Sequence, residues 1–367
     1  MRQPAPAIFG LSALALVAAS SVACGPTEIP DKRRALLESW GEDVLLPLYR
    51  DFEARTAELD DAAETLCQSL NAADLGLARD AWWAARAPWK QAEVFGFGPY
   101  SEEPVRLGPK IDFWPVRADA IDALLASDAV IDDALVATLG ATQTGMPVIE
   151  VLLYAHGDDA DWLAADPRRC AYLTGLTADL RVHATEIRAA WDPEAGAYLN
   201  HLTEAGRQDD AFSTLQMALA EMVGRMAFTV ENIRNDRLGR PVGLTSGGTP
   251  QPAKAESQSS GRSIEDIRDA LRGVALLFDG GDAPGAQGLD GYLIERERPF
   301  TKRMATALAA AHAALDAIPG PLTEAVDSAP ESVIAAIAAL GDLQRLIQVD
   351  IANALSVTVG FNDNDGD

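Results

Sequence analysis

Residues 33–45 read RRALLESWGEDVL, and their apolar positions recur with the spacing of an α-helix. This spacing places an apolar stripe along one face of the helix, which would face a core. The side chains on the stripe are Leu36, Leu37, Trp40, Val44 and Leu45. The pattern continues to about residue 70, although Pro47 inside it predicts a kink or a break, because proline has no backbone N–H to donate. The stretch therefore predicts a long, core-facing helix.

The same helical pattern recurs along the chain. Ala and Leu dominate, and alternating Val/Ile runs flanked by turn signals are nearly absent, which favours helices over strands. Residues 238–262 are rich in Gly, Pro, Ser and Thr and carry no apolar stripe, so they indicate a linker. We therefore expect an all-α protein with two helical-bundle domains packed side by side, at residues 31–237 and 263–367. The predicted helices cover residues 33–70, 73–94, 121–125, 132–139, 146–154, 168–191, 210–234, 264–278, 289–294, 299–318 and 331–356.

Length and charge limit the classes of function. A chain of 367 residues is long for a single core, which also favours two domains. The net charge of −25 argues against a nucleic-acid partner, since no basic stripe is present to displace counterions. It also disfavours electrostatic docking on anionic lipid. The excess of acidic residues is compatible with attraction of cations, but solubility alone explains the same excess and is the interpretation we favour.

Residues 1–23 are typical of an export signal, in which a short positive region precedes an apolar run too short to cross a bilayer. The sequence Ser-Val-Ala-Cys that ends at Cys24 resembles the lipobox of bacterial lipoproteins. That resemblance implies cleavage before Cys24 and lipid attachment to its sulfur, with residues 24–30 as a tether. Ser21 stands where a lipobox usually has leucine, so ordinary secretion remains an alternative. No later segment is predicted to cross a membrane.

Two further cysteines, Cys67 and Cys170, remain after Cys24. Export places them in an oxidising compartment, where two cysteines are more often bridged than free. We therefore predict a disulfide between Cys67 and Cys170; two separately buried thiols are the alternative.

Residues 144–154 read TGMPVIEVLLY and contain the candidate site. A Thr-Gly turn opens a predicted helix, and Glu150 lies in an otherwise apolar run, three residues after Pro147. Positions i and i+3 share one helix face, so a metal ligand at each could hold one ion. Proline has no ligand atom, and this segment supplies a single carboxylate.

Several ordered segments of the chain resemble the imelysin family. The segment 144–154 resembles the family's Gly-x-His-x-x-Glu motif, with Pro147 in the position of the histidine. The other segments are WWAARAPW at 82–89, EVFGFGP at 93–99, IDFWP at 111–115, RLGRPVG at 237–243, the Glu-Ser and Ser-Ser-Gly-Arg-Ser runs within 256–263, and VTVGFNDNDGD at 357–367. The resemblance implies an all-α fold of two bundle-like domains, a cleft that holds the motif, and an association with iron acquisition.

This resemblance also implies which residues form the site. Glu150 would be a metal ligand or a general base, and Glu93, Asp112 and Asp119 from neighbouring blocks could converge with it as an all-oxygen site for a divalent metal or iron. Alternatively, Glu150 is a buried carboxylate neutralised by Arg86. The guanidinium of Arg86 would pair with Glu150 or Glu93, or hold an anionic ligand.

Two histidines need a separate assignment. His156 follows the motif helix and is the one histidine placed to substitute for the missing ligand. His183 and Glu186 spell His-x-x-Glu, but they lack the preceding glycine and lie outside the motif position. We expect them on a solvated helix face, since two ligands do not make a site.

The sequence thus predicts an exported bacterial protein of the cell envelope, lipid-anchored on the periplasmic side of the outer membrane or free in the periplasm. Its expected role is non-catalytic binding of a metal ion, iron or another ligand in iron acquisition. A metal-dependent peptidase using Glu150 is one alternative, weakened by Pro147 and by the absence of a two-histidine zinc motif. An envelope scaffold that docks onto a protein partner without metal is another.

Overall fold

The computed structural model describes Met1, residues 31–207 and residues 211–358. Cys24, the tether and nearly all of the predicted export signal lie outside the described residues, as does most of the C-terminal block. From Lys32 onward the chain clusters into one compact unit. The division into two bundles at residues 238–262 remains a prediction.

Helices and turns make up the described ranges, in which no strand occurs, and the all-α class is confirmed. The α-helices are α1 (Lys32–Ser39), α2 (Leu46–Ser69), α3 (Ala72–Ala92), α4 (Gly108–Ile111), α5 (Ala118–Leu125), α6 (Asp133–Val136), α7 (Gly145–Tyr154), α8 (Asp161–Ala164), α9 (Pro167–Trp191), α10 (Leu199–Thr203), α11 (Leu215–Asn232), α12 (Ser263–Asp279), α13 (Leu289–Ile294), α14 (Thr301–Asp316), α15 (Leu322–Ser328), α16 (Pro330–Arg345) and α17 (Ala352–Leu355). Wider π-helical turns cover Trp40–Leu45, Ile233–Gly239 and Leu346–Ile351, and 3₁₀ turns cover Glu93–Phe95, Gly98–Tyr100, Ala141–Gln143 and Pro252–Lys254.

The first predicted helix is interrupted just before Pro47. Helix α1 passes into the π-helical turn Trp40–Leu45, and α2 begins with Pro47 at its second residue. The N–H of Leu46 donates to the carbonyl oxygen of Gly41, and Pro47, which has no N–H to donate, lies where the π-helical turn passes into α2. The helical backbone therefore continues from α1 through this turn into α2.

Helix α2 is central to the N-terminal part and packs against α3 and α9. The predicted disulfide joins Cys67 on α2 to Cys170 on α9, with 5.5 Å between the Cα atoms. That separation suits a disulfide, so the prediction of a bridge over two free thiols is confirmed.

Helix α12 follows the predicted linker and packs directly on α3. A Cβ added at Gly273 would lie 2.1 Å from the carbonyl oxygen of Gln91, so only glycine allows this approach. The close contact brings the first turn of α12, with Asp266, beside the middle of α3.

Within the described chain, the run Pro330–Leu355 is long and apolar enough to cross a membrane, judged by length and composition alone. This differs from the prediction that no segment after the export signal crosses a membrane. The run comprises α16, a π-helical turn and α17. Helix α16 packs against α11 and α14 and buries Val333, Ala336 and Leu340. A core helix meets the same criterion, and 44% of the apolar window is buried in this structure.

Candidate functional site

The motif helix α7 is held at its N-terminus by close backbone packing. Gly145 has φ +77°, and a Cβ added there would lie 2.4 Å from the carbonyl oxygen of Ile111. The indole of Trp82 on α3 donates a hydrogen bond to the carbonyl oxygen of Met146 at 3.0 Å. The glycine of the motif therefore fixes α7 against the segment that carries Asp112.

Glu150 lies on α7 and is only 1% exposed. Its Oε1 accepts hydrogen bonds from the backbone N–H of Ser260 at 2.8 Å and from the Ser260 hydroxyl at 2.9 Å. Burial raises the pKa of Glu150 to about 7, against the opposing effects of the Ser260 hydrogen bonds and the Arg86 charge. The partner of this carboxylate is thus a serine of the predicted linker, which corrects the expected ion pair with Arg86.

Arg86 lies on α3 and binds two other carboxylates. Its Nη1 donates to Asp112 Oδ1 at 2.6 Å, and its Nε and Nη2 donate to Asp266 Oδ2 at 3.2 and 3.1 Å. Asp266 also accepts hydrogen bonds from Ser257 Oγ at 2.5 Å and from Arg262. The expected pairing of Arg86 with Glu150 or Glu93 is therefore replaced by a bridge between the 111–115 block and α12.

Lys90, one turn further along α3, extends this arrangement. Its Nζ lies 2.7 Å from Glu93 Oε1, 2.9 Å from Asp112 Oδ2 and 3.2 Å from Glu256 Oε2. Burial alone would raise the pKa of Asp112, but the charges and hydrogen bonds of Arg86 and Lys90 outweigh it and lower that pKa below its usual value. Asp112 is therefore a fixed anion at neutral pH.

Arg237 belongs to the same arrangement of charges and lies in the π-helical turn Ile233–Gly239. Its Nη2 donates to Glu93 Oε2 at 2.5 Å, and its Nε lies 3.7 Å from Glu256 Oε2. The buried Nη1 atom has no hydrogen-bond partner among the described residues. Turns of π type often occur at functional sites, and here the turn aims a guanidinium at the site.

These groups form one cluster, which we call the buried ion network. Its members are the cations Arg86, Lys90, Arg237 and Arg262 and the carboxylates Glu93, Asp112, Glu256 and Asp266. The network joins α3, the 111–115 block, the π-helical turn and the segment before α12. Five of the family-like segments, at residues 82–89, 93–99, 111–115, 237–243 and 256–263, therefore meet at one place.

The residues present do not fit a directly coordinated metal ion. The carboxylates of Glu93 and Asp112 are each paired with fixed cations, and Glu150 is hydrogen-bonded to Ser260. Within the described ranges, no group of three or more His, Cys, Asp and Glu side chains is arranged to hold a metal. Pro147 supplies no donor, and a stable site needs about three protein ligands.

A cavity of about 290 Å³ opens beside the network, and we call it the charged cavity. Its charged lining residues are Lys90, Glu93, Asp112, Arg225, Arg237 and Glu256, and its aromatic ones are Tyr100, Phe113, Trp114 and Phe228. Glu150 does not line it. A larger groove of about 450 Å³ shares Arg225 and Phe228 with it and is otherwise bounded mainly by small and apolar side chains around α11.

The other residues predicted for the site lie away from the buried ion network. His156 is exposed and stacks on Trp162 with 3.6 Å between ring centroids. Asp119 forms an exposed ion pair with Arg117 at 2.6 Å. Neither is brought into the buried ion network.

The second His-x-x-Glu pair lies on α9. His183 Nδ1 is 2.8 Å from Glu186, and its Nε2 is 3.5 Å from Asp179. Glu186 is exposed and His183 is partly buried, so the solvated face that we expected holds for the glutamate and only partly for the histidine.

Sequence reasoning missed Lys90, Arg237, Glu256 and Asp266 as site residues. Arg237 and Glu256 stand in blocks quoted for the family resemblance, but nothing in their spacing gives them a role. Asp266 had a weaker signal, because it follows Arg262 by four residues and so shares a helix face with it.

Comparison with known proteins agrees with this all-α fold. The family model of imelysin matches residues 45–348, and the chain belongs to the imelysin family.

Individual relatives extend over nearly the whole chain. Iron-regulated protein A of Synechococcus elongatus is 28% identical over 338 residues, which are 89% of this chain and 88% of that protein. A structure from Parabacteroides distasonis, described as an iron-regulated protein A precursor, has a TM-score of 0.75 at 21% identity and covers 91% of this chain and 97% of its own. An imelysin-like protein from Psychrobacter arcticum has a TM-score of 0.71 at 21% identity, with 90% and 97% covered. The two structures support the fold.

Proposed function

We propose that this protein is a non-catalytic ligand-binding component of iron acquisition at the bacterial cell envelope, held there by a lipid on Cys24. Its ligand would occupy the charged cavity. The observation that carries the proposal is the wall of that cavity, where fixed charges of both signs meet aromatic side chains. Such a wall offers a small molecule both aromatic surface to pack against and placed polar groups that fix its orientation.

The size of the charged cavity limits the ligand. A volume of about 290 Å³ is at the lower end of ligand pockets, so the ligand is a small molecule or one end of a larger one. The charged groups are already held by one another, and binding would cost little ordering of these side chains. Such a cavity favours recognition of a compact polar ligand.

Iron would enter as a complex and not as a bare ion. The carboxylates of the wall are neutralised by Lys90 and Arg237, which disfavours direct coordination of a free cation. A chelate that brings its own ligand atoms needs only hydrogen bonds and charges from the protein. The similarity to iron-regulated protein A supports a role related to iron.

The peptidase alternative has less support. A pKa of about 7 would suit Glu150 as a general base. However, a general base must reach the proton that it removes, and Glu150 is 1% exposed and turned towards Ser260, away from the lining of the charged cavity. A docking scaffold remains the third candidate, and no described feature favours it.

Binding is tested by titration calorimetry on the purified mature protein with ferric citrate, iron-free citrate and iron(III) nitrilotriacetate. Phe228 lines the charged cavity and is 39% exposed, so Phe228→Glu places a negative charge at its edge. Leu77→Glu is the matched control, because Leu77 is an exposed apolar residue of α3, 59% exposed, that does not line the cavity.

We expect the wild type and Leu77→Glu to bind at least one iron chelate, and Phe228→Glu to bind it at least about tenfold more weakly, since like charges in proximity cost on the order of 1 kcal/mol or more. The proposal is wrong if the wild type binds neither iron chelate, or if Phe228→Glu binds as tightly as the control.

A further inference from the structure

The charged cavity contains one carboxylate that is held less firmly than the others. Glu256 is 24% exposed at its side chain and lies 3.2 Å from Lys90 Nζ and 3.7 Å from Arg237 Nε. Glu93 lies 2.7 Å from Lys90 Nζ and 2.5 Å from Arg237 Nη2, and its side chain is 10% exposed. Close, charge-assisted hydrogen bonds are the strong ones, so Glu256 is the weaker partner of both cations.

Glu256 also differs from Glu93 in its backbone. Glu93 follows α3 without a break, in a 3₁₀ turn that continues the helix. Glu256 lies in the segment between the 3₁₀ turn Pro252–Lys254 and α12, outside any helix. The position of Glu256 is therefore not fixed by helical hydrogen bonding, as that of Glu93 is.

Within the described residues, Arg237 retains one unused hydrogen-bond donor, Nη1. Its side chain is 10% exposed; Nη2 donates to Glu93, and Nε donates to Asn232 Oδ1 at 3.2 Å. A buried donor without an acceptor is costly, so an acceptor atom of a ligand that reaches it would bind favourably. A carboxylate oxygen is a strong acceptor for a single guanidinium N–H, because the hydrogen bond is charge-assisted.

From these contacts we infer that Lys90 and Arg237 form a carboxylate-binding subsite of the charged cavity, and that Glu256 occupies it when no ligand is bound. A carboxylate of the ligand displaces Glu256 from Lys90 and pairs with the free donor of Arg237. The inference rests on the proposed function, and it narrows the ligand class to small molecules that carry at least one ionised carboxylate. The displacement makes and breaks hydrogen bonds and ion pairs only.

The test compares citrate with its trimethyl ester, which has the same skeleton without the negative charges. Glu256→Gln removes the competing charge and keeps the size of the side chain. Arg237→Lys keeps the positive charge and removes the planar fork. Glu53→Gln is the control, because Glu53 is also a partly exposed glutamate, paired with Arg188 at 2.5 Å, and does not line the charged cavity.

Citrate is expected to bind Glu256→Gln about tenfold more tightly than it binds the wild type. It is expected to bind Arg237→Lys about tenfold more weakly than it binds the wild type. Each change in affinity corresponds to the gain or loss of one hydrogen bond to a charged group. The ester should bind both variants and the wild type alike, and Glu53→Gln should match the wild type for both compounds. Thermal unfolding of each variant verifies that it is folded at the temperature of the titration.

The possible failures are distinguishable. If the wild type binds an iron chelate but Glu256→Gln leaves citrate affinity unchanged, the carboxylate subsite is overturned while the proposed function stands. If citrate and its ester bind the wild type equally, the subsite is likewise overturned. If the wild type binds no probe at all, the proposed function falls and the subsite falls with it.

Discussion

Gly145 lies against Ile111 so closely that a Cβ on the glycine would come within 2.4 Å of the Ile111 carbonyl oxygen. The glycine also has φ +77°, a conformation that L-residues with side chains rarely adopt. The motif glycine is therefore used for packing whether or not the motif holds a metal. This explains how the chain keeps the local structure of the motif although Pro147 replaces its histidine.

Gly145→Ala should destabilise the protein by at least about 2 kcal/mol, from the left-handed backbone and the clash with Ile111 together. Urea unfolding measures the change. Gly76→Ala in α3 is the matched control, because Gly76 is helical and nothing lies within 4 Å of an added Cβ. That substitution should stabilise the helix by up to about 1 kcal/mol. Equal stability changes of the two variants would contradict this account of the glycine.

Glu150 makes stability depend on pH in a defined window. Its pKa is raised from 4.5 to about 7 in the folded protein, chiefly by burial. Between these two pH values the unfolded chain has lost the proton while the folded chain holds it. The free energy of unfolding therefore falls as pH rises through this window, by roughly 3 kcal/mol for a shift of this size. Below the window both states are protonated, and above it both are ionised.

Glu150→Gln has no proton to lose, and its amide oxygen still accepts the hydrogen bonds from Ser260. Relative to the wild type, the variant should gain up to about 3 kcal/mol of stability between pH 4.5 and 7. Asp112 and Asp266 have lowered pKa values, so their contribution is lost at acidic pH in both proteins and cancels in the difference. Urea unfolding of both proteins at several pH values measures the difference in their free energies of unfolding. If these free energies changed with pH in parallel, the raised pKa of Glu150 would be refuted.

Much of the fold could be predicted from the sequence because it is encoded locally. The helical period of residues 33–45 gives α1 and the π-helical turn that follows it, and Leu289–Ile294 forms α13 as its apolar pattern predicts. Asp166 and Pro167 likewise begin α9 as the cap and first residue of a helix. These features depend on neighbours in the chain, which the sequence displays directly.

The site could be predicted only in part, since its pairings are not local. Arg86 and Asp266 are 180 positions apart, and no periodicity states that they meet. The segment 238–262 looked like a linker because it lacks an apolar stripe. In the structure it nevertheless buries Ser257 and Arg262 and supplies Ser260 to Glu150. Polar residues that are buried through hydrogen bonds have the same composition as an exposed loop, so composition could not distinguish the two.

The disulfide should contribute substantially to stability, since it closes a loop of 103 residues between α2 and α9. Replacing both Cys67 and Cys170 by serine should lower the free energy of unfolding by about 2–4 kcal/mol. Urea unfolding of the oxidised wild type and the double variant, both without reductant, gives the difference. Adding reductant should lower the wild type towards the variant and leave the variant unchanged. A variant as stable as the oxidised wild type would contradict the prediction.

Removing Arg86 should be among the most damaging single changes in the described chain. Arg86→Met keeps most of the side-chain volume but leaves the buried carboxylates of Asp112 and Asp266 without their shared cation. Breaking a buried pair from one side costs about 3–5 kcal/mol, because an uncompensated charge stays buried. Arg117→Met is the control, since its pair with Asp119 is exposed and such pairs contribute little to stability. Thermal and urea unfolding of the two variants compare them directly. If Arg86→Met lost no more stability than Arg117→Met, the buried ion network would not hold α3 to α12 as its contacts indicate.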